Sequence, residues 1–376
     1  MTRGSRRPAW ECHRSRASKH RRARRAGAAK EDQLLQESTT ALAHSHDLVM
    51  LDLDGVVYIS GTAVPGVPEA LHRLREQGVH VAFVTNNASR TAETVAEHLT
   101  DLGVPAEAHD VVTSAQAAAG VLAERHGAGA RILVLGAAGL VRALEEVGLV
   151  AVLDPADPDV VGVVTGFGPD VVWKDLMRVA VRIQEGLPWV ASNTDLSFPT
   201  GFGLAPGHGV QVEMLERFSG RTPTVAGKPA RPLLDETVKR VGGQRPLMVG
   251  DRLDTDIEGG ANAGVDTLLV LTGVSGLAEV VAAEPHERPT YIASTLDGLF
   301  VPHPAPVLLE GGDLPRGFSG GARCAGWSAL VGPDDQLVVE GGGDPDDWWR
   351  AVAGAAWSHR DVTGRPVLVN SLVPPS

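Results

Sequence analysis

The chain reads as an α/β protein: a parallel-sheet core, interrupted by a second α/β unit and followed by a smaller module. Three observations predict this. The apolar run Leu48-Val49-Met50-Leu51 ends in two acids, Asp52 and Asp54, as a buried parallel strand does where it leaves its sheet. Strand-like and helix-like segments then alternate with short connections as far as residue 271. The alternation changes character at the Gly/Ala-rich stretch 126–130 and again at Gly227-Lys228-Pro229, so one series lies inside another.

Taken in order, residues 1–46 are basic, then polar and Ala-rich, without a persistent apolar period. They are expected to be a disordered, solvated tail, a nucleic-acid-binding arm or an upstream start codon being the alternatives. The core is expected over 47–128 and 226–300. Its first half holds the strand at Leu48, a strand over 79–84 ending at Thr85-Asn86-Asn87, a helix over 91–102 stopped by Gly103, and a helix over 114–125. The insert is expected over 129–225. It has strands at 131–135, 160–165 and 189–192, helices at 139–147, 172–185 and 210–218, and a Gly/Pro-rich loop from Thr200 to Gly209. The core then resumes with a helix at 232–241, a strand at 246–249, a loop at 250–256 and a strand at 267–271. Residues 301–376 hold four of the seven tryptophans (Trp327, Trp348, Trp349, Trp357) among short strands and one helix, which predicts a small α+β module. The fold class is therefore a Rossmann-like parallel-sheet core with a large inserted α/β domain and a C-terminal α+β module.

Composition narrows the function. At 376 residues, two or three domains fit comfortably. With 43% hydrophobic and 21% charged residues the chain is ordinary globular material. Of the net charge of −12, residues 1–30 carry +10, from eleven Arg/Lys against Glu11; the remaining −22 repels nucleic acid phosphates. Cys12 and Cys324 stand apart and outside any CxxC, so neither a disulfide framework nor a zinc site is expected. No apolar run is long enough to span a membrane, and no secretory signal opens the chain; a cytoplasmic protein is expected.

Four segments bring complementary chemistry to strand ends, where open α/β sheets place their ligands. Asp52 and Asp54 alternate along a strand, so their carboxylates are expected to converge and to need a shared cation; magnesium, which favours carboxylate oxygens, fits. Thr85 and Asn86 offer a hydroxyl and amide donors suited to phosphate oxygens. Lys228 is a compact cation able to reach a phosphate and a carboxylate together. Gly250-Asp251-Arg252-Leu253-Asp254-Thr255-Asp256 adds acids for a metal. Each alone has a bland alternative: a cap, a turn or a solvated charge. It is the set, in this order, that points to chemistry.

That set resembles the haloacid dehalogenase superfamily of phosphatases over residues 47–300. The group suggested is the phosphoglycolate, pyridoxal phosphate and nitrophenyl phosphatases, whose α/β cap is inserted between the second and third motifs. The carrying residues are Asp52-Leu53-Asp54-Gly55-Val56, Thr85-Asn86-Asn87, Gly227-Lys228-Pro229 and Gly250–Asp256. The resemblance implies Asp52 as nucleophile and Asp54 as general acid/base. It implies Thr85, Asn86 and Asn87 around the phosphoryl group, Lys228 orienting nucleophile and phosphate, and Mg2+ held by Asp52, by the Asp54 backbone carbonyl and by Asp251, with Asp256 supporting its water shell. Ala191-Ser192-Asn193-Thr194-Asp195 resembles the cap segment facing the leaving group, which nominates Asn193 and Asp195. The pyridoxal phosphatases carry a histidine shortly after this segment, where this chain has Phe198-Pro199. The expectation is thus a phosphomonoesterase for a small phosphorylated metabolite, glycerol 3-phosphate first and phosphoglycolate or another sugar or nucleotide phosphate as the alternative. Pairing of two copies through the cap is an arrangement common among capped relatives.

The C-terminal module, placed after such a core, resembles an acetyltransferase-like fold. Arg316-Gly317-Phe318-Ser319-Gly320-Gly321 misses the acyl-CoA loop pattern, however, because Ser319 stands at the first glycine position. A structural or regulatory module is expected. Other signals are set aside. Gly136-Ala137-Ala138-Gly139 lacks the G-x-G-x-x-G spacing, Gly227-Lys228 is no Walker loop, G-x-S-x-G is absent, and His44 and His46 are read as linker residues. A phospho-accepting receiver domain also combines acids, Thr and Lys, but needs neither the acids at 251–256 nor an insert between Thr85 and Lys228.

Overall fold

The computed structural model describes residues 34–370 and 372–375. Its centre is a six-stranded, all-parallel sheet in the order Tyr291–Ala293, Asp266–Val270, Pro246–Gly250, Leu48–Asp52, His80–Thr85, Val111–Thr113. These strands are buried on both faces, which is why they read as unbroken Val/Leu/Ala runs rather than as alternation. From Leu48–Asp52 the chain first winds outward through His80–Thr85 and Val111–Thr113. It then returns to build the other side, starting at Pro246–Gly250. The topological switch point therefore lies between the strands that end in Asp52 and Gly250, where a doubly wound sheet opens its ligand crevice.

The inserted unit carries its own five-stranded parallel sheet, ordered Thr224–Val225, Trp189–Ala191, Gly162–Thr165, Arg131–Leu135, Val150–Val152. The segment Thr200 to Gly209, read above as a loop, forms most of an antiparallel hairpin, Ser197–Thr200 with Gly203–Pro206. Pro199, Pro206 and the two glycines Gly201 and Gly203 hid the strand pattern there. The insert does not swing free of the core. Helix Ser114–His126 buries Ala115, Ala117, Ala118, Ala119 and Leu122 in one apolar cluster with Met50 and Ala82 of the core and Ile132, Leu140 and Val190 of the insert.

The last module is a four-stranded antiparallel sheet, Val307–Leu309, Gly320–Cys324, Trp327–Val331, Leu337–Gly341, covered by the long helix Pro345–Thr363. Arg316–Gly321 leads into the strand Gly320–Cys324 and not into a helix, so no helix N-terminus stands behind it for an anion. The helix that follows the Gly-rich turn 341–343 is capped by Asp344 and carries Asp346 and Asp347 in its first turn. Trp348, Trp349 and Trp357 are buried in a cluster shared with Leu253, Ile257, Val280 and Ile292 of the core.

The disordered tail expected for 1–46 is corrected at its end; residues 1–33 lie outside the described residues. Residues 34–46 run along the core. Ser38 pairs with His303 through two backbone hydrogen bonds of 2.8 Å, and Leu35 and Leu42 are buried. His46 sits between Leu42 O (2.9 Å) and Asp266 (3.3 Å). Scattered leucines with no period give no sequence signal of such docking.

Candidate active site

At the carboxyl end of the core sheet, Lys228 is 2% exposed and lies between two carboxylates, 2.6 Å from Asp52 Oδ1 and 2.7 Å from Asp256 Oδ1. Burial opposes its charge, but Asp256 and Asp52 more than offset that, so the ammonium is held above its ordinary range. Lys228 was expected after a core strand. It follows Thr224–Val225, the edge strand of the insert's sheet, and so enters the site from the insert's side.

Asp52, Asp251 and Asp256 each bring a carboxylate oxygen within 4.8 Å of the others. Burial pushes all three up to about 6: for Asp52 against the pull of Lys228, for Asp251 with Asp256 adding repulsion, and for Asp256 again against Lys228. Two negative charges remain once Lys228 is counted. Asp251 Oδ2 accepts the Val274 N–H at 2.7 Å, while Asp251 Oδ1 is buried without a hydrogen-bond partner. Such an orphan among hard oxygen donors fits a divalent cation such as Mg2+. Gly55 and Gly273 flank Asp251 so closely that a Cβ on either would overlap its carboxylate. Only bare backbone leaves it room there.

Asp54 stands beside this cluster without joining it, near enough for its charge to help raise Asp52. The strand ends at Asp52, and Gly55 follows with φ 87°, so period-two alternation does not reach Asp54. Its carboxylate is outside the cluster of three and accepts the Tyr58 hydroxyl at 3.3 Å. Asp54 stays open to solvent on one side, and the water lost on the other lifts its carboxyl above the usual range. A carboxyl so placed is suited to carry a proton into the cleft.

The second segment divides its labour. Thr85 is buried, and its Oγ1 accepts the Asn87 N–H at 3.1 Å, leaving the hydroxyl proton to donate. The Asn86 side chain has no donor to spare for a phosphate. Its Nδ2 donates to Lys228 O (2.9 Å) and Asp195 Oδ1 (3.1 Å), and its Oδ1 accepts the Lys228 N–H (2.8 Å). Asn87 closes its own turn: its Oδ1 accepts from Ser89 N and Oγ, both at 2.8 Å, as an Asx turn. From the insert, Asn193 donates to Asn86 O at 2.7 Å, and burial lifts the Asp195 carboxyl above its usual range. Tyr58, Thr272 (Oγ1 to Gly55 O, 2.5 Å), Gly273 and Val274 were missed from sequence. The signal available was Thr272-Gly273, one residue beyond the strand Asp266–Val270, at the same end of the sheet as Asp251.

Comparison with known proteins comes to the same place. A family described as haloacid dehalogenase-like hydrolase matches residues 49–150, and a HAD-hydrolase-like family matches 225–299. The chain is 41% identical over 343 residues to a D-glycerol 3-phosphate phosphatase of Mycobacterium tuberculosis, covering 88% of this chain and 92% of that one. It is 34% identical to an acid sugar phosphatase of Staphylococcus aureus, covering 64% and 92%. Among solved structures, the glycerol phosphate phosphatase of Mycobacterium tuberculosis in complex with magnesium superposes with TM-score 0.76 at 40% identity, over 88% of this chain and 94% of that one. A 4-nitrophenylphosphatase of Thermotoga maritima gives 0.63 at 32% identity, over 69% and 97%.

Proposed function

The chain belongs to the haloacid dehalogenase-like hydrolases, and on that basis we propose that it is a magnesium-dependent phosphomonoesterase whose substrate is glycerol 3-phosphate. The observation that carries the chemistry is Lys228, buried and shared between Asp52 and Asp256 beside the unpartnered oxygen of Asp251. What supports the substrate is the 41% identity, across nearly the whole chain, to a phosphatase named for it.

In this reading Asp52 attacks phosphorus, forming an aspartyl phosphate as the ester P–O bond breaks. Asp54 gives its proton to the departing alkoxide, then takes one from the water that opens the acyl phosphate, returning Asp52 and releasing inorganic phosphate. Lys228 holds the Asp52 carboxylate in line and offsets its repulsion from a dianionic phosphate. The Thr85 hydroxyl and the Asn86 backbone N–H donate to the phosphoryl oxygens; Asn86's share no longer includes its side chain. Magnesium held by Asp52, Asp251 and the Asp54 carbonyl, with Asp256 behind them, supplies positive charge where the phosphoryl group gathers negative charge.

The unit 129–225 acts as the cap that excludes water and selects the leaving group, with Asn193 and Asp195 bonded to Asn86 of the core. Two copies pair through it. In support, helix Trp173–Gln184 exposes Trp173, Met177 and Val181 on one stripe, and helix His208–Ser219 exposes Val210 and Phe218 on another. The module 301–376 is structural. The receiver-like alternative has no use for an inserted five-stranded sheet and falls with the family assignment.

The test is phosphate release from glycerol 3-phosphate, phosphoglycolate, a hexose phosphate, pyridoxal phosphate and p-nitrophenyl phosphate, with Mg2+ and with EDTA. Glycerol 3-phosphate is expected to give the highest kcat/KM, EDTA to abolish turnover, and Asp52→Asn to lower kcat by about four orders of magnitude or more. A faster hexose phosphate would replace the substrate. Undiminished turnover by Asp52→Asn would remove the mechanism.

A further inference from the structure

Lys228 sits where the chain passes from the insert's sheet back to the core. Its predecessors are tied to the insert: Val225 pairs with Ala191, and the Ala226 N–H donates to Ala191 O at 2.9 Å. Its ammonium faces the core carboxylates. Between those ends, both backbone polar groups of Lys228 are satisfied by a single side chain. The N–H donates to Asn86 Oδ1 (2.8 Å), and the C=O accepts from Asn86 Nδ2 (2.9 Å). An amide side chain thereby imitates one rung of a β-ladder.

The same residue also grips the insert. Its second Nδ2 proton goes to Asp195 Oδ1 (3.1 Å), and its backbone O accepts from Asn193 Nδ2 (2.7 Å) and Ser114 Oγ (2.6 Å). Asn193 is itself fixed, accepting the Asp195 N–H through Oδ1 at 3.2 Å. Gly227 completes the node, since a Cβ there would lie 2.6 Å from Ser192 O and 2.7 Å from Asn86 Oδ1. Three chain segments, 85–86, 192–195 and 227–228, are thus closed around one asparagine that leaves no side-chain donor for a phosphoryl group.

We propose that Asn86 is the positioning residue for Lys228, and that Asp195 and Asn193 lock it, so that the seating of the insert on the core sets where the ammonium stands. The inference rests on the functional reading only in taking Lys228 as the group that offsets phosphate charge. Loss of Asn86 leaves Asp52, Asp54, Thr85 and Asp251 in place but frees the Lys228 backbone. A displacement of about 1 Å there costs on the order of 100-fold in rate.

A double-mutant cycle tests it, on p-nitrophenyl phosphate with Mg2+, with inorganic phosphate as competitive inhibitor and the thermal midpoint of every variant recorded. Asn86→Ala is expected to lower kcat about 10- to 100-fold while KM and the phosphate inhibition constant stay within about threefold. On a Lys228→Ala background the same change is expected to cost less than about threefold, because the group it positions is gone. Asp195→Ala is expected to lower kcat about threefold to tenfold and to add nothing to Asn86→Ala. If Asn86→Ala does not fold, Asn86→Asp enters the same cycle, keeping the volume and the Oδ1 acceptor but losing both donors. Equal losses on both backgrounds, or a phosphate inhibition constant that rises with the loss in kcat/KM, would overturn the proposal. A slowed Lys228→Ala beside an unimpaired Asn86→Ala sinks this inference alone. A Lys228→Ala enzyme at the parent rate sinks the functional reading and takes the inference with it.

Discussion

Tyr58 shows how one hydroxyl sets the working range of the proposed acid/base. It donates to Asp54 at 3.3 Å and stabilises the ionised form, against the desolvation that raises Asp54. Removing the hydroxyl leaves desolvation less opposed, so the Asp54 carboxyl keeps its proton to higher pH. Tyr58→Phe is therefore expected to move the alkaline limb of the kcat/KM profile upward and to lower kcat about threefold to tenfold. A profile unchanged in shape would mean that Tyr58 does not govern Asp54. At this scale the sequence was legible where chemistry is carried by residue type. Asp52, Asp251, Asp256 and Lys228 could be named because the segments that carry them form a set in a fixed order, although each alone could be a cap, a turn or a solvated charge. What it could not tell was where each polar atom spends its bonds. Asn86 and Asn87 look alike in Thr85-Asn86-Asn87, yet one closes a three-segment node and the other closes its own turn.

Among the elements, the turn that carries Asn193 and Asp195 is held from beneath by His208, buried at the start of helix His208–Ser219. One ring nitrogen meets Asn193 O at 2.9 Å and the other Thr165 Oγ1 at 3.1 Å; Thr165 Oγ1 in turn accepts the Trp189 indole N–H. Burial depresses the His208 pKa to about 4, the backbone bond to Asn193 only partly opposing it. The folded state thus resists a proton that the unfolded chain takes near pH 6.5. Stability from this neutral histidine is complete above pH 6.5 and drains away as pH falls toward 4. Between pH 7 and pH 4.5 the loss is roughly 2–3 kcal/mol. His208→Gln carries no such penalty, so its urea-unfolding deficit against the parent should shrink by about that amount over the interval; a constant deficit would exclude it. Element boundaries in the core were readable because buried parallel strands and capped helices announce themselves. Helix 91–102 was expected and Ala92–Asp101 found, with Thr91 as its cap. The hairpin Ser197–Pro206 was not readable, since its pairing rests on backbone geometry that prolines and glycines disguise.

Across the whole molecule, the C-terminal module behaves as part of the core. Trp357 is fully buried, and its indole N–H donates to Val280 O at 2.7 Å; Arg288 holds Asp361 through two bonds of 2.9 and 2.8 Å. The shared apolar cluster includes Leu253 and Ile257, on the turn that follows Asp251 and contains Asp256. The module therefore backs the segment that supplies two of the three clustered carboxylates. Trp357→Ala is expected to cost about 3–5 kcal/mol and to lower one cooperative transition rather than split off a second. Calorimetry resolving two separate transitions in the parent protein would contradict that unity. Sequence indicated the module's existence through its tryptophans but not its docking, because an apolar residue does not say which neighbour it faces.

The strand order also has a consequence for synthesis. Leu48–Asp52 finds one neighbour, His80–Thr85, within a few dozen residues, but the other, Pro246–Gly250, only after the entire insert has been made. A nascent chain on the ribosome thus waits with the edge of its central strand unpaired and with Asp52, the proposed nucleophile, still without Lys228 or Asp251. Activity can appear only late in translation, and the half-built sheet is the stage at which a chaperone would be most useful.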